Sequence, residues 1–502
     1  MNNTEILFKR LSKLLKEVSK IEYALFLAQW DQDALMPRGG GQGRAEIIAS
    51  LSERLMELFT AAEIGDILEE LATRKSSLSA EKIVLIEKLR RSHKRAGSVP
   101  LYFWRQLGKV ESQTQNAWVK AKSKSDFHLF RPHLERVFRM TRELADFYGY
   151  KSNPYDAILS EFEPGLTVSE FKKIINPLRK KLVPFIRQIL NQPNQPNKMI
   201  LRGNFSIEQQ KDFSRRVLER MGFDFSKGKI DATSTHPMTT MVGPRDIRIT
   251  TIFSSKRADV GLFNSIHEGG HGLFDQGIDS LLRWIPCEIE MSMGLHESQS
   301  LIWEYLIGKN LPFWKFLYPE FQAAFPHYSD ISLDDFYRAI NIVEATPIRY
   351  EADEVTYNLH VMLRFEIEDM LLNDKIRVAD LPDVWNQKME EYLGIIPPDD
   401  AHGVLQDIHW STGCIGYFPS YLIGNLCAAQ LYQKAKRQIG DLEKEIAGGN
   451  LRIFLTWLRE NVHQWGQIYE AQALMKKVTG KPISADGWWK YITKKYSQIY
   501  GL

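Results

Sequence analysis

Cysteine is nearly absent from this chain. Its three thiols, Cys287, Cys414 and Cys427, are widely spaced over 502 residues. That excludes a disulfide framework and a thiolate-bound metal. The apolar neighbours of Cys414 and Cys427 predict buried, inert thiols. A charge of one sign is lacking too. With 65 basic against 62 acidic residues the net charge is only +3, too little for the field that draws nucleic acid. The most basic run, Arg90-Arg91-Ser92-His93-Lys94-Arg95, reads as a solvated helix face. No apolar run approaches the length of a membrane span, and the amphipathic opening MNNTEILFKRLSKLLKEVSK has no apolar core of signal-peptide type. The expected location is the reducing cytoplasm, with neither nucleic acid nor membrane as partner.

Strand signals are scarce. Ile6, Leu7, Leu11, Leu14, Leu15 and Val18 recur at helical spacing, and residues 45–61 repeat the pattern after a break at Pro37-Arg38-Gly39-Gly40-Gly41. The polar, twice proline-interrupted stretch 191–197 reads as a surface loop between helices. Only the region from His236 to Phe253 changes texture. Thr239–Val242 and Ile247–Phe253, joined by Gly243-Pro244-Arg245-Asp246, read as two strands and a turn. The expected fold is all-α, mainly helical, with a small β-sheet.

What is present is concentrated at His267-Glu268-Gly269-Gly270-His271. Positions i and i+4 of a helix share a face, so His267 and His271 can converge on one divalent cation. Glu268 projects to the side where an attacking water would sit and can take its proton. With 12 histidines in the chain, a chance HExxH match is expected roughly a few times in a hundred. Gly269, Gly270 and Gly272 sharpen the reading, since each costs about 0.5 to 1 kcal/mol inside a helix relative to alanine. Packing alone would not collect three; a site that something must approach closely would.

Catalytic zinc sites usually take a third protein ligand and leave one position open. Downstream candidates are Glu288, Glu290 and Glu297. Pro286 can start a helix with Ile289, Met293, Ile302 and Trp303 as its apolar stripe. Glu288 and Glu290 would then fall in the first turn, where the helix dipole favours carboxylates without any metal. Glu297 has no such explanation and is the expected third ligand. Leu301 stands four residues beyond it, so no acidic residue at that spacing is available to orient the ligands.

The chain resembles the thermostable (Taq-type) metallocarboxypeptidase family in several separate motifs that span most of its length. His236-Pro237-Met238 is similar to HPF with Met for Phe, Asp246–Thr250 to DxRxT, and His296-Glu297-Ser298-Gln299 to HESQ. Ile348–Asp353 is similar to IRxxAD, and Gly403–Trp410 to GxxQDxHW. The resemblance implies a metal-dependent carboxypeptidase over residues 1–502, one catalytic domain with room for division into two helical lobes flanking a deep cleft. It also implies Glu297 as third ligand, Zn2+ as cofactor (with Co2+ or Mn2+ acceptable to the same donors), peptides with a free C-terminus as substrates, and a homodimer.

A carboxypeptidase must recognise a terminal carboxylate, which a guanidinium fork does best. Arg349 is expected on a helix-like run with its charge in the cleft, the alternative being an internal pair with Asp353. Arg248 either binds substrate or pairs with Asp246. An extended peptide can add to a sheet edge near 246–250. His236 either donates to substrate or to the developing oxyanion, or is a satisfied turn histidine. Tyr421, Tyr417 and His409 lie in an aromatic, polar stretch. Tyr421 is preferred to Tyr417 as a donor to the developing oxyanion, although either could be a core aromatic. Asp407 is expected to orient a neighbouring histidine. The rival functions are an internally cutting helical oligopeptidase and a non-catalytic binding protein with a structural metal.

Overall fold

A computed structural model describes residues 3–232, 236–280, 282–286 and 291–502. Helices dominate, and the single three-stranded sheet among the described residues lies midway along the chain. Four helices, Asn3–Ala34, Gly41–Phe59, Ala62–Thr73 and Ala80–Ser98, enclose a small apolar core of their own. The last of them begins at Ser79, whose side chain caps the Lys82 N–H. The remaining helices share one much larger core. Stretch 191–197 is a loop, as its composition predicts. Gln195 folds back there to donate to the Ile189 carbonyl at the end of the preceding helix (2.9 Å).

The sheet differs from expectation by one strand. Strand β1 (Gly228–Ala232) runs parallel to β3 (Asp246–Thr251), and β2 (Met238–Gly243) runs antiparallel to β3, in the order β1-β3-β2. Met238 pairs with Thr250 and Thr240 with Arg248. Arg245, at φ 67°, makes the left-handed turn that closes the hairpin. Because β3 is paired on both sides, residues 246–250 offer no edge to a peptide. Any strand addition must use β1 or β2, which corrects the sequence-based expectation. β3 was the easier strand to read because Ile247 and Ile249 point inward and are almost fully buried.

Two helices follow, the first packed against this sheet and the second packed against the first. One, Ala258–Gly277, carries the HExxH segment. The second begins at Met293 rather than Pro286 and ends at Leu301, with Ser292 as its cap. A wider, π-type turn, Ile302–Gly308, continues it. Glu288 and Glu290 lie outside the described residues. The three glycines now have a definite reason. A methyl on Gly270 would lie 2.5 Å from the Gln299 carbonyl oxygen, one on Gly269 would meet Leu218, and one on Gly272 would meet Phe223 and Ile249. They let neighbouring protein, not substrate, come into backbone contact with the metal helix.

Candidate active site

Three side chains from these two helices converge. Nε2 of His267 is 3.7 Å from Glu297 Oε1, and Nε2 of His271 is 3.4 Å from Glu297 Oε2. Ligands about 2.1 Å from a tetrahedral zinc are separated by about 3.4 Å along each edge. The observed spacings fit that figure and are long for direct hydrogen bonds. This triad is the metal-capable group found among the described residues. Glu297 is fixed from behind by Gly424 on the helix Phe418–Ile439, where a Cβ would approach its Cγ to 2.8 Å.

The electrostatics favour a cation. Burial disfavours a charged His267, but the carboxylates of Glu297, Glu304 and Glu268 outweigh it and hold the imidazole up to about 10. His271 moves the other way, through burial and the adjacent His296, on which it stacks at 4.3 Å between ring centroids. Its Nδ1 is buried with no hydrogen-bond partner among the described residues. Glu297 and Glu304 stay ionised against their burial, Glu304 down at about 2 through Lys309 and His267. Such a pocket takes up positive charge, and its nitrogen and oxygen donors suit zinc, cobalt or manganese.

Two residues that the sequence did not single out organise this corner. Glu304 Oε2 lies 2.9 Å from His267 Nδ1, and Lys309 holds its other oxygen at 3.0 Å. The signal was available, because Glu304 follows Glu297 by seven residues, two helical turns on the same face. The imidazole is bracketed by two carboxylates of one segment. Thr239 on β2 is the second. Its hydroxyl lies 2.7 Å from Glu268 Oε2 and 2.9 Å from the Glu268 carbonyl, tethering the carboxylate to the sheet. Further out, Glu163 accepts from Ser292 Oγ (2.7 Å) and Gly294 N (2.6 Å), pinning the first turn of the Glu297 helix.

A second charged cluster faces this one. Arg349 lies on a single tight turn, Arg349–Glu351, rather than on a longer helix. Its partner is Asp407, not Asp353, reached through Nε (3.0 Å) and Nη2 (2.9 Å), and Nη1 donates to the Tyr357 hydroxyl at 2.9 Å. Asp353 instead accepts from Val355 N and Thr356 N in the turn that leads into the helix Tyr357–Leu372. Asp407 does not orient a histidine as expected; its other oxygen holds Arg364 at 2.6 Å. Gln406 accepts from Arg349 N and Arg364 Nη2. The QD pair of one motif thus builds the arginine of another.

The other expected residues fall around these clusters. His409 Nε2 is 3.2 Å from the Tyr421 hydroxyl, and burial together with Arg349 holds this imidazole neutral, down at about 3. The Arg349 guanidinium lies 5.0 Å from the centroid of the Tyr421 ring. Tyr417 packs edge-on against Tyr421 and Phe162. Trp410 Nε1 and Gly416 N both donate to the buried Glu368, whose carboxyl burial pushes up to about 7. That anchor fixes the loop between them. Arg248 is held bidentately by Asp246 (2.5 and 2.8 Å) beside the Trp30 ring, the structural alternative left open above. His236 is exposed, with Nδ1 2.8 Å from its neighbour's carbonyl.

A helical body, an HExxH helix and a glutamate on the next helix define the class: a metallopeptidase. Comparison with known proteins narrows it. The profile of the carboxypeptidase Taq (M32) metallopeptidase family matches residues 10–496. The chain is 37% identical over 495 residues to carboxypeptidase 1 of Bacillus subtilis, covering 98% of this chain and 99% of that one. It is 35% identical to thermostable carboxypeptidase 1 of Thermus thermophilus, with 99% of each covered. The solved M32 carboxypeptidase of Deinococcus radiodurans superposes with a TM-score of 0.95 at 33% identity, covering 99% of this chain and all of that one. The chain belongs to the carboxypeptidase Taq (M32) family of metallopeptidases.

Proposed function

We propose that this metallocarboxypeptidase removes single residues from peptide C-termini with His267, His271 and Glu297 as the ligands of one Zn2+ and Arg349 as the reader of the terminal carboxylate. A bound divalent cation supplies Lewis acidity, polarising a carbonyl and easing deprotonation of water. Glu268, tethered by Thr239, takes the proton of the attacking water and passes it to the leaving amine. Tyr421 donates to the developing oxyanion, with Tyr417 and His409 shaping the wall beside it. His236 lines the approach for the peptide chain, while Arg248, held by Asp246, stiffens β3 beside it. Around this chemistry we infer one catalytic domain over 1–502, two helical lobes flanking a cleft, a homodimer and a cytoplasmic location.

The observation that carries the substrate reading is the arithmetic of Arg349. A guanidinium has five N–H donors. Three are engaged, two on Asp407 and one on Tyr357, which leaves one on each terminal nitrogen. Charge points the same way. Two arginines share one aspartate, and Arg364 is fully buried whereas the Arg349 side chain keeps 10% exposure. The surplus positive charge therefore lies on the reachable residue, with a donor left on each terminal nitrogen for a carboxylate. The test is hydrolysis of a peptide against its C-terminally amidated twin. A large preference for the free acid is expected; equal cleavage would return the protein to the oligopeptidase reading.

A further inference from the structure

Tyr357 was not singled out by sequence, yet among the described residues it is the tyrosine bonded directly to Arg349. It is the first residue of the helix Tyr357–Leu372, half-buried, and its oxygen accepts from Arg349 Nη1 at 2.9 Å. A phenol has one proton to give, and among the described residues no acceptor takes that of Tyr357. The neighbouring hydroxyl differs. Tyr421, whose ring lies edge-on at 6.0 Å, faces the His409 nitrogen. Burial raises the Tyr357 phenol and the Glu297 carboxylate adds to it, against the pull of the adjacent Arg349.

Geometry says what that proton reaches. The two N–H bonds of one guanidinium nitrogen diverge by about 120°, so acceptors on both stand about 5 Å apart. A carboxylate oxygen on the free N–H of Nη1 is therefore too far from the Tyr357 oxygen for a hydrogen bond between them. Successive carbonyl groups of an extended chain are about 3.3 to 3.6 Å apart along the axis and point to opposite sides, so their oxygens span such a gap. We propose that Tyr357 is a catalytic residue, its hydroxyl donating to the scissile carbonyl oxygen while Arg349 holds both that hydroxyl and the substrate carboxylate in one register. This rests on the carboxylate role of Arg349.

Tyr357→Phe removes the hydroxyl and little volume. It should lower kcat about 10- to 100-fold with KM, bound metal and the inhibition constant of a simple free carboxylate such as 3-phenylpropanoate nearly unchanged. Tyr421→Phe, measured alongside, should show whether the two hydroxyls act together. A raised KM and inhibition constant with kcat intact would move Tyr357 to carboxylate binding and overturn the proposal, as would unchanged kinetics. Arg349→Gln separates the premise from the inference. If that variant keeps its preference for free acid over amide, the premise fails; if it loses the preference while Tyr357→Phe is silent, only the inference fails.

Discussion

At one end of the site carboxylates outnumber cations; at the other, guanidinium groups outnumber carboxylates. Glu268, Glu297 and Glu304 face Lys309 and two imidazoles, whereas Arg349 and Arg364 share Asp407. A third buried cluster serves as control. Lys495 and Glu354, almost completely buried, pair one to one at 2.8 Å, with Tyr491 and Tyr496 completing the hydrogen bonds. Burying an unmatched charge is expensive, so a balanced pair can be purely structural while an unbalanced one implies a missing counter-charge. On the proposed reading, a divalent ion balances the first corner and the C-terminal carboxylate of a peptide balances the second.

The two corners can be broken separately. The largest effect is expected from Glu268→Gln, which should cut kcat by about 10²- to 10⁴-fold while metal analysis finds the ion still bound. Loss of the ion in that variant would assign Glu268 to binding instead. Chelation should abolish turnover and zinc should restore it, yet the stripped protein should still bind a free carboxylate, measured by calorimetry. Failure of that binding would mean that the arginine corner depends on the ion. Arg349→Gln should lower kcat/KM for free-acid peptides about 30- to 300-fold, equivalent to about 2 to 3.5 kcal/mol, with little change for amidated ones. Glu304→Gln should weaken metal affinity about 10- to 100-fold, read by competition with a chromophoric chelator.

The smallest effect concerns stability. Glu368 holds its proton up to about 7 in the folded protein against an ordinary value near 4.5. Its contribution is therefore present in full below about 4.5 and is lost as pH rises through about 7. Glu368→Gln cannot ionise, so thermal unfolding should show the variant gaining on the wild type between about pH 5 and pH 8. A constant difference across that range would mean that the carboxyl titrates normally.

The helical body was legible because apolar spacing is a local property, and His267, Glu268 and His271 because their relation is one turn of helix. Glu297 was reached by elimination among three glutamates. The partners of these residues were not legible. Thr239, Gly424 and Tyr357 meet the site only through tertiary packing, and β1, a short strand beginning with Gly228, carries little pattern of its own. Arg349 and Asp407 both stood in recognised motifs, but no spacing rule pairs residues 58 positions apart. The tight turn at 349–351 defeated the helical reading because the chain turns again at Asp353, the alternative partner weighed for Arg349, before the next helix begins.

Gly270 and Gly424 have one further consequence. At Gly270 the helix of His267 and His271 meets the main chain of the Glu297 helix, and at Gly424 the helix of Tyr421 meets the stem of the Glu297 side chain and the Gly294 carbonyl. Spacing between helices elsewhere in the core depends on rotamers, which loosen on warming. At the first seam it depends on main-chain atoms already in contact, and at the second on the Glu297 stem pressed against a bare backbone, which leaves little to loosen. The ligand geometry should therefore hold almost constant with temperature until the helices separate, so that heat ends activity by unfolding the protein and not by gradual detuning of the site.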